Sequence, residues 1–135
     1  GFIGSPQMNF LDATVKVSGK DVDLIVGQYK LRLPAEKAKA LIDGGYDGKT
    51  VVMGIRPENV TDDASVFPDS GVEAKINVYE LLGAEVFLYF EVEGFNMTAR
   101  VNPHTASRQG DTVKFSLDMS KVHVFDKETE QVITN

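Results

Sequence analysis

The chain has 135 residues, 42% of them hydrophobic and 25% charged, which is the make-up of about one globular domain able to bury roughly two-thirds of its unfolded surface without a metal or a disulfide. It contains no cysteine, which excludes thiolate catalysis, zinc-finger ligation and disulfide scaffolding and fits a reducing compartment. With 14 Lys and Arg against 20 Asp and Glu, the net charge is −6, so a phosphate backbone is repelled on average and nucleic acid is disfavoured as a partner.

Period-two alternation dominates, punctuated by Gly, Asp and Asn, and predicts a mainly β fold with one short helix. Leu11, Ala13, Val15 and Val17 share one strand face. Val22, Leu24 and Val26 follow a turn at Gly19, and then come Tyr29, Leu31 and Leu33, completing a three-stranded meander. Pro34 suits the first helical position, with Glu36 in the first turn, Ala38, Leu41 and Ile42 on one stripe and Gly44 as the stop. Thr50 to Ile55 reads as another strand, closed by Arg56-Pro57 because proline cannot donate to a ladder.

The acidic, turn-rich stretch 61–71 is read as a long loop between two halves, residues 1–66 and 67–135 of one domain. The second half offers strands at Val72 to Leu82, Val86 to Val92, Phe95 to Val101, Thr112 to Leu117 and Val122 to Phe125, with a tight turn at Glu93-Gly94. Barrel-like spacing results. Val86, Leu88, Phe90 and Val92 form one apolar face, yet Phe87 and Tyr89 put aromatics on the other. Such a strand is covered on both sides within the domain, the favoured reading, or meets a partner subunit. His123 and Phe125, on the face opposite Val122 and Val124, pose the same question.

No window reaches the ~18 apolar residues that span a bilayer, and the opening residues lack the basic and apolar regions of an export signal. A start at Gly1 in place of methionine leads us to expect a piece of a longer protein.

Catalytic and metal patterns fail on spacing or context. In Asp43 to Thr50, DGGYDGKT approaches a phosphate-binding loop, but Gly44 and Gly48 enclose three residues where four are needed, and a helix precedes where one must follow. His104 and His123 have no partner at ligand spacing, so no metal is expected. Asp62, Asp63 and Asp69 lack the alternation that wraps calcium, and no serine sits in a nucleophile elbow. The sequons at Asn59 and Asn96 matter only in a secreted chain. No catalytic residue and no cofactor are expected.

GFIGSPQMNF at 1–10, GIRPE at 54–58, YELLGAE at 79–85 and VHVFD at 122–126, in that order, resemble the C-terminal regulatory domain of the ATP-binding subunits of bacterial ABC sugar importers, the maltose and multiple-sugar type. The resemblance implies an OB-like region followed by a TOBE segment, in two halves. It also implies that ATP and magnesium belong to a nucleotide-binding domain absent from this chain. The expected role is non-catalytic: holding two ATPase subunits together as a homodimer, on the cytoplasmic face of the membrane, beside the transporter's membrane subunits and in some members a regulatory protein. Phe2, Ile3, Pro6, Met8, Asn9 and Phe10 match the segment that joins the two domains. Gly54, Arg56, Pro57 and Glu58 match GIRPE, where Arg56 and Glu58 either brace the strand exit as a pair or meet a partner; the bracing role is favoured, since exposed pairs contribute only about 0–1 kcal/mol. Leu82, Gly83 and Glu85 match the second-half motif, Gly83 fitting a turn of positive φ. Phe87, Tyr89, His123, Phe125 and Asp126 are the candidate interface residues.

Two other readings remain open. TOBE-like barrels also bind oxyanions such as molybdate, for which Ser107, Arg108 and Lys114 are the nominees. An OB barrel for single-stranded nucleic acid has its aromatics here but the wrong charge.

Overall fold

The structure, a computed structural model, describes residues 7–135. Among these the fold is mainly β, with one short helix, as expected. Strands β1 (Asn9–Ser18), β2 (Asp21–Val26) and β3 (Tyr29–Arg32) form the predicted meander, and helix α1 (Ala35–Asp43) follows. Then come β4 (Thr50–Ile55), β5 (Val60–Thr61), β6 (Gly71–Lys75), β7 (Val78–Leu82), β8 (Glu85–Val92), β9 (Phe95–Val101), β10 (Thr112–Leu117), β11 (His123–Asp126) and β12 (Val132–Thr134). They assemble into a six-stranded sheet ordered β12-β11-β4-β1-β2-β3 and two three-stranded sheets, β5-β10-β6 and β7-β8-β9.

Alternation places Leu11, Ala13 and Val15 of β1, Val22, Leu24 and Val26 of β2, Val51, Met53 and Ile55 of β4 and Val124 of β11 in one core, each at most 2% exposed. That core is continuous with Val86, Leu88 and Phe90 of β8 and with Phe115 and Leu117 of β10. The rings of Phe90 and Phe115 stack at 3.9 Å and 9°, joining the two small sheets; each ring buries a large apolar area, and their contact adds about 1 kcal/mol beyond it.

The helix differs in detail from expectation. Pro34 stands before its first turn in extended conformation, and its carbonyl accepts the N–H groups of Lys37 and Ala38. The buried stripe is Lys37, Ala38 and Leu41, whereas Ile42 is 36% exposed. The long methylene stem of Lys37 serves as packing surface there.

The expected strand from Val72 to Leu82 is two strands in different sheets. Ile76 still exchanges backbone bonds with the chain at 110–111, donating to Asp111, while the N–H of Asn77 already donates to Tyr89 of β8. The switch of sheet falls between these two residues. β5 and β12 are additional to the expected strands. The stretch 61–71 is held down: Asp62 accepts the hydroxyls of Thr105 and Ser107, and the Asp63 carbonyl accepts the buried Ser116 hydroxyl at 2.7 Å. Downstream of it, β11 and β12 return to the first sheet, β11 pairing antiparallel with β4. The Glu93-Gly94 turn forms as predicted, with φ of 50° and 85°, the two left-handed residues that a tight hairpin turn requires.

Candidate functional site

The outer face of the six-stranded sheet brings several motif residues together as apolar surface. On β1, Phe10 and Asp12 point away from the core because Leu11 and Ala13 point into it. Register then lines up Phe10, Gly54 and His123 across β1, β4 and β11, and Asp12, Val52 and Phe125 in the next row. Phe10 is 51% exposed, and its ring meets that of Phe125 edge to face at 6.0 Å and 65°.

Gly54 makes this possible. A Cβ at that position would lie 2.6 Å from Met8 Sδ, 3.2 Å from Phe125 Cε2 and 3.3 Å from Phe10 Cε1. The missing side chain is the floor on which a thioether and two rings from distant segments converge. Beside them lies an open concavity of about 300 Å³ lined by Phe10, Val52, Phe125, Asp126 and Glu130.

One flank of the concavity is polar and rigid. Asp126 Oδ1 accepts the N–H groups of Glu128 and Thr129, both at 2.9 Å, shaping the β11–β12 connection, while Oδ2 accepts the Tyr46 hydroxyl at 2.7 Å. The Thr129 N–H, followed by the Tyr46 hydroxyl, holds the Asp126 carboxyl down at a pKa of about 2, against desolvation that acts the other way. Lys127 Nζ reaches Asp12 at 2.7 Å, and His123 Nδ1 lies 3.0 Å from Asn135 Oδ1.

The expected site residues are therefore dispersed. Phe2, Ile3 and Pro6 lie outside the described residues. Met8 and Phe10 join His123, Phe125 and Asp126 on this face. Asn9 points the other way, 5% exposed, and holds β9: its Nδ2 donates to the Thr98 carbonyl at 2.9 Å and its Oδ1 accepts the Thr98 N–H at 2.7 Å. Pro57 is buried in a single 3-10 turn, with Arg56 and Glu58 exposed on either side. No ion pair joins Arg56 to Glu58, a correction to the expected brace: the turn places two exposed side chains where water competes for both.

Leu82, Gly83 and Glu85 form the tip of the β7–β8 hairpin, with Gly83 at φ 62°. Phe87 is only 4% exposed, so it offers almost no surface to a second subunit, contrary to its selection as an interface residue. Tyr89 is half-buried and donates its hydroxyl to Glu80 Oε1 at 2.9 Å. Both belong to the β7-β8-β9 sheet, not to the Phe10–Phe125 face.

Among the described residues no group of three His, Asp or Glu side chains is placed to hold a metal ion. The nominated oxyanion donors are engaged within the chain: the Ser107 hydroxyl on Asp62, and Arg108 Nη1 on the carbonyls of Thr105 and Ser107, its guanidinium 4.9 Å over the Tyr79 ring. Lys114 stands across the ladder from Glu73.

Three antiparallel sheets around one core, with one short helix, make up a mainly β module of the OB and TOBE type. Residues 4–60 match the model of the MalK OB fold domain and residues 53–125 that of the TOBE domain; the chain belongs to the TOBE domain family. It is 41% identical to the oligosaccharides import ATP-binding protein MsmX of Bacillus subtilis (strain 168), over 96% of this chain and 35% of that protein. It is 36% identical to the multiple sugar-binding transport ATP-binding protein MsmK of Streptococcus mutans, over 98% of this chain and 35% of that one. The chain thus spans about a third of the length of these relatives. Among solved structures, the cytoplasmic molybdate-binding protein ModG in its molybdate-bound form aligns with a TM-score of 0.65 over 90% of this chain and 96% of that one, at 17% identity, a likeness of fold alone. Among the described residues no helix is long and apolar enough to cross a membrane.

Proposed function

We infer that this chain is the regulatory and dimerisation domain of the ATP-binding subunit of an ABC importer for oligosaccharides, working at the cytoplasmic face of the membrane. It binds no nucleotide and performs no hydrolysis; ATP and magnesium are bound by the nucleotide-binding domain of the parent subunit, which also contacts the transporter's membrane subunits. The observation that carries this reading is the outward face around Gly54, where Met8, Phe10 and Phe125 converge with Phe10 half exposed. Exposed apolar side chains gathered on one face favour a protein contact there. Near-complete matches to one third of two sugar-import ATP-binding proteins support the assignment of the parent. The contact is a second copy of the same subunit, held weakly by this domain alone, and a regulatory protein has the remaining surface to grip.

The test has two arms. Light scattering of the isolated chain over a concentration series shows a weak dimer that Phe10→Ser and Phe125→Ser together abolish. In a chimera carrying this chain in place of the matching third of MsmX, oligosaccharide import is retained, and the same double substitution lowers import while ATP hydrolysis by the folded subunit persists. A strictly monomeric chain at millimolar concentration, or undiminished import by the doubly substituted chimera, overturns the reading.

A further inference from the structure

Three open sheets have six edge strands, and five of them are guarded. β5 has two residues and β12 three. β3 bears Lys30 and Arg32. On β6, the Tyr29 hydroxyl bonds both the N–H and the carbonyl of Glu73 at 3.2 Å. The backbone of β9 is held by Asn9. Short length, charge and covering side chains are the devices by which sheet edges are kept from pairing with other chains.

β7 is guarded least: it carries a single charge, Glu80 at its centre, and the side chain lying over it, Arg108 on the Tyr79 ring, bonds the carbonyls of Thr105 and Ser107 and none of the β7 backbone. Its five residues, Val78 to Leu82, include no Lys, Arg or Pro. They pair with β8 on one side, and among the described residues no backbone bond reaches the other side. Val78, Leu81 and Leu82 are 45%, 58% and 39% exposed. Register with β8 puts Val78, Glu80 and Leu82 on one face and Tyr79 and Leu81 on the other, so an added strand meets apolar side chains on both faces.

We propose that the outer edge of β7 receives an extended segment of another protein, apolar at alternate positions and carrying a cationic side chain opposite Glu80. Backbone bonds along the edge supply the affinity, and the alternate side chains supply the selection. The central charge chooses the partner. An antiparallel second copy centred on β7 sets Glu80 against itself, and like charges directly opposite destabilise a ladder. A Lys or Arg opposite Glu80 turns that penalty into attraction, and Glu80 is held in place for it by the Tyr89 hydroxyl on Oε1. This surface lies on a different sheet from the Phe10–Phe125 face, and the proposal stands whether or not that face forms a dimer.

The probe is an end-capped five-residue peptide, isoleucine-valine-lysine-threonine-valine, titrated into the isotope-labelled chain, with its glutamate-for-lysine counterpart as control. Expected are amide shifts centred on residues 78–82 and binding of the lysine peptide roughly fivefold tighter than that of the glutamate peptide. The Glu80→Lys variant reverses the preference, a readout that a loss of stability does not mimic. Equal binding of the two peptides, shifts centred elsewhere, an unreversed preference in the variant, or self-association of the unliganded chain through β7 overturns the proposal.

Discussion

Asn9 and Thr98, 89 positions apart, share a two-way bond in which the Asn9 amide side chain takes the place of a neighbouring strand, donating to the Thr98 carbonyl and accepting its N–H. It ties the large sheet to the β7-β8-β9 sheet through a residue only 5% exposed.

Removing one partner from a buried bond strands the other, which typically costs about 1–3 kcal/mol. Asn9→Ala is expected to lower the unfolding free energy by about 2 kcal/mol in urea titration and to speed hydrogen exchange at the Thr98 amide. Asn9→Asp keeps the acceptor but loses the donor and buries a charge, so it is expected to be at least as damaging.

Gly54 is expected to tolerate alanine only when Met8 yields. Gly54→Ala forces its new methyl against Met8 Sδ, an overpacking that costs about 1–2 kcal/mol. In a Met8→Ala background the same change costs measurably less, because the closest atom is gone and the next nearest are the two ring contacts at 3.2 and 3.3 Å. A thermodynamic cycle over the four proteins, read by denaturant unfolding, gives the coupling; purely additive costs contradict the convergence on Gly54.

Asp126 sets an acid limit on the β11–β12 connection. Its folded pKa of about 2 lies below the ordinary carboxylate value of about 3.9. Its contribution to stability is therefore fully present above about pH 4 and is lost as pH falls through 2. A carbon-13 carboxyl titration of Asp126 is expected to show the low midpoint, and Tyr46→Phe is expected to raise it by removing one donor. An ordinary midpoint in the unsubstituted chain refutes the arrangement.

Much of the fold is readable from residue order, and the failures have local causes. The meander and the β8–β9 hairpin are legible because one buried face writes itself as strict alternation, and because Glu93-Gly94 has the residues a left-handed turn needs. The break between Ile76 and Asn77 leaves no such mark: the alternation of β6 runs through Ile76 into the apolar-rich β7 without a Gly or Pro between them, and only the partners, Asp111 on one side and Tyr89 on the other, differ. Ile42 misleads because its type fits the helical stripe, while Lys37 fills the buried position with its stem. For the candidate site, Met8, Phe10, Gly54 and Phe125 are all visible as motif residues. Their convergence is not, since it depends on β4 lying between β1 and β11. Phe87 is legible as apolar on the second face of its strand, but its coverage within the chain is a tertiary fact.

The position of β4 between an early strand and a late one also sets a timetable for the molecule. On a ribosome, residues 50–55 can pair with β1 soon after they emerge, yet their other edge waits until residues 123–126 are made. Until then Val52 and Gly54 border an open, partly apolar rim, and pairings of such long sequence separation form late and slowly. In a growing chain the second edge of β4 is therefore unpaired throughout the interval between synthesis of those two segments.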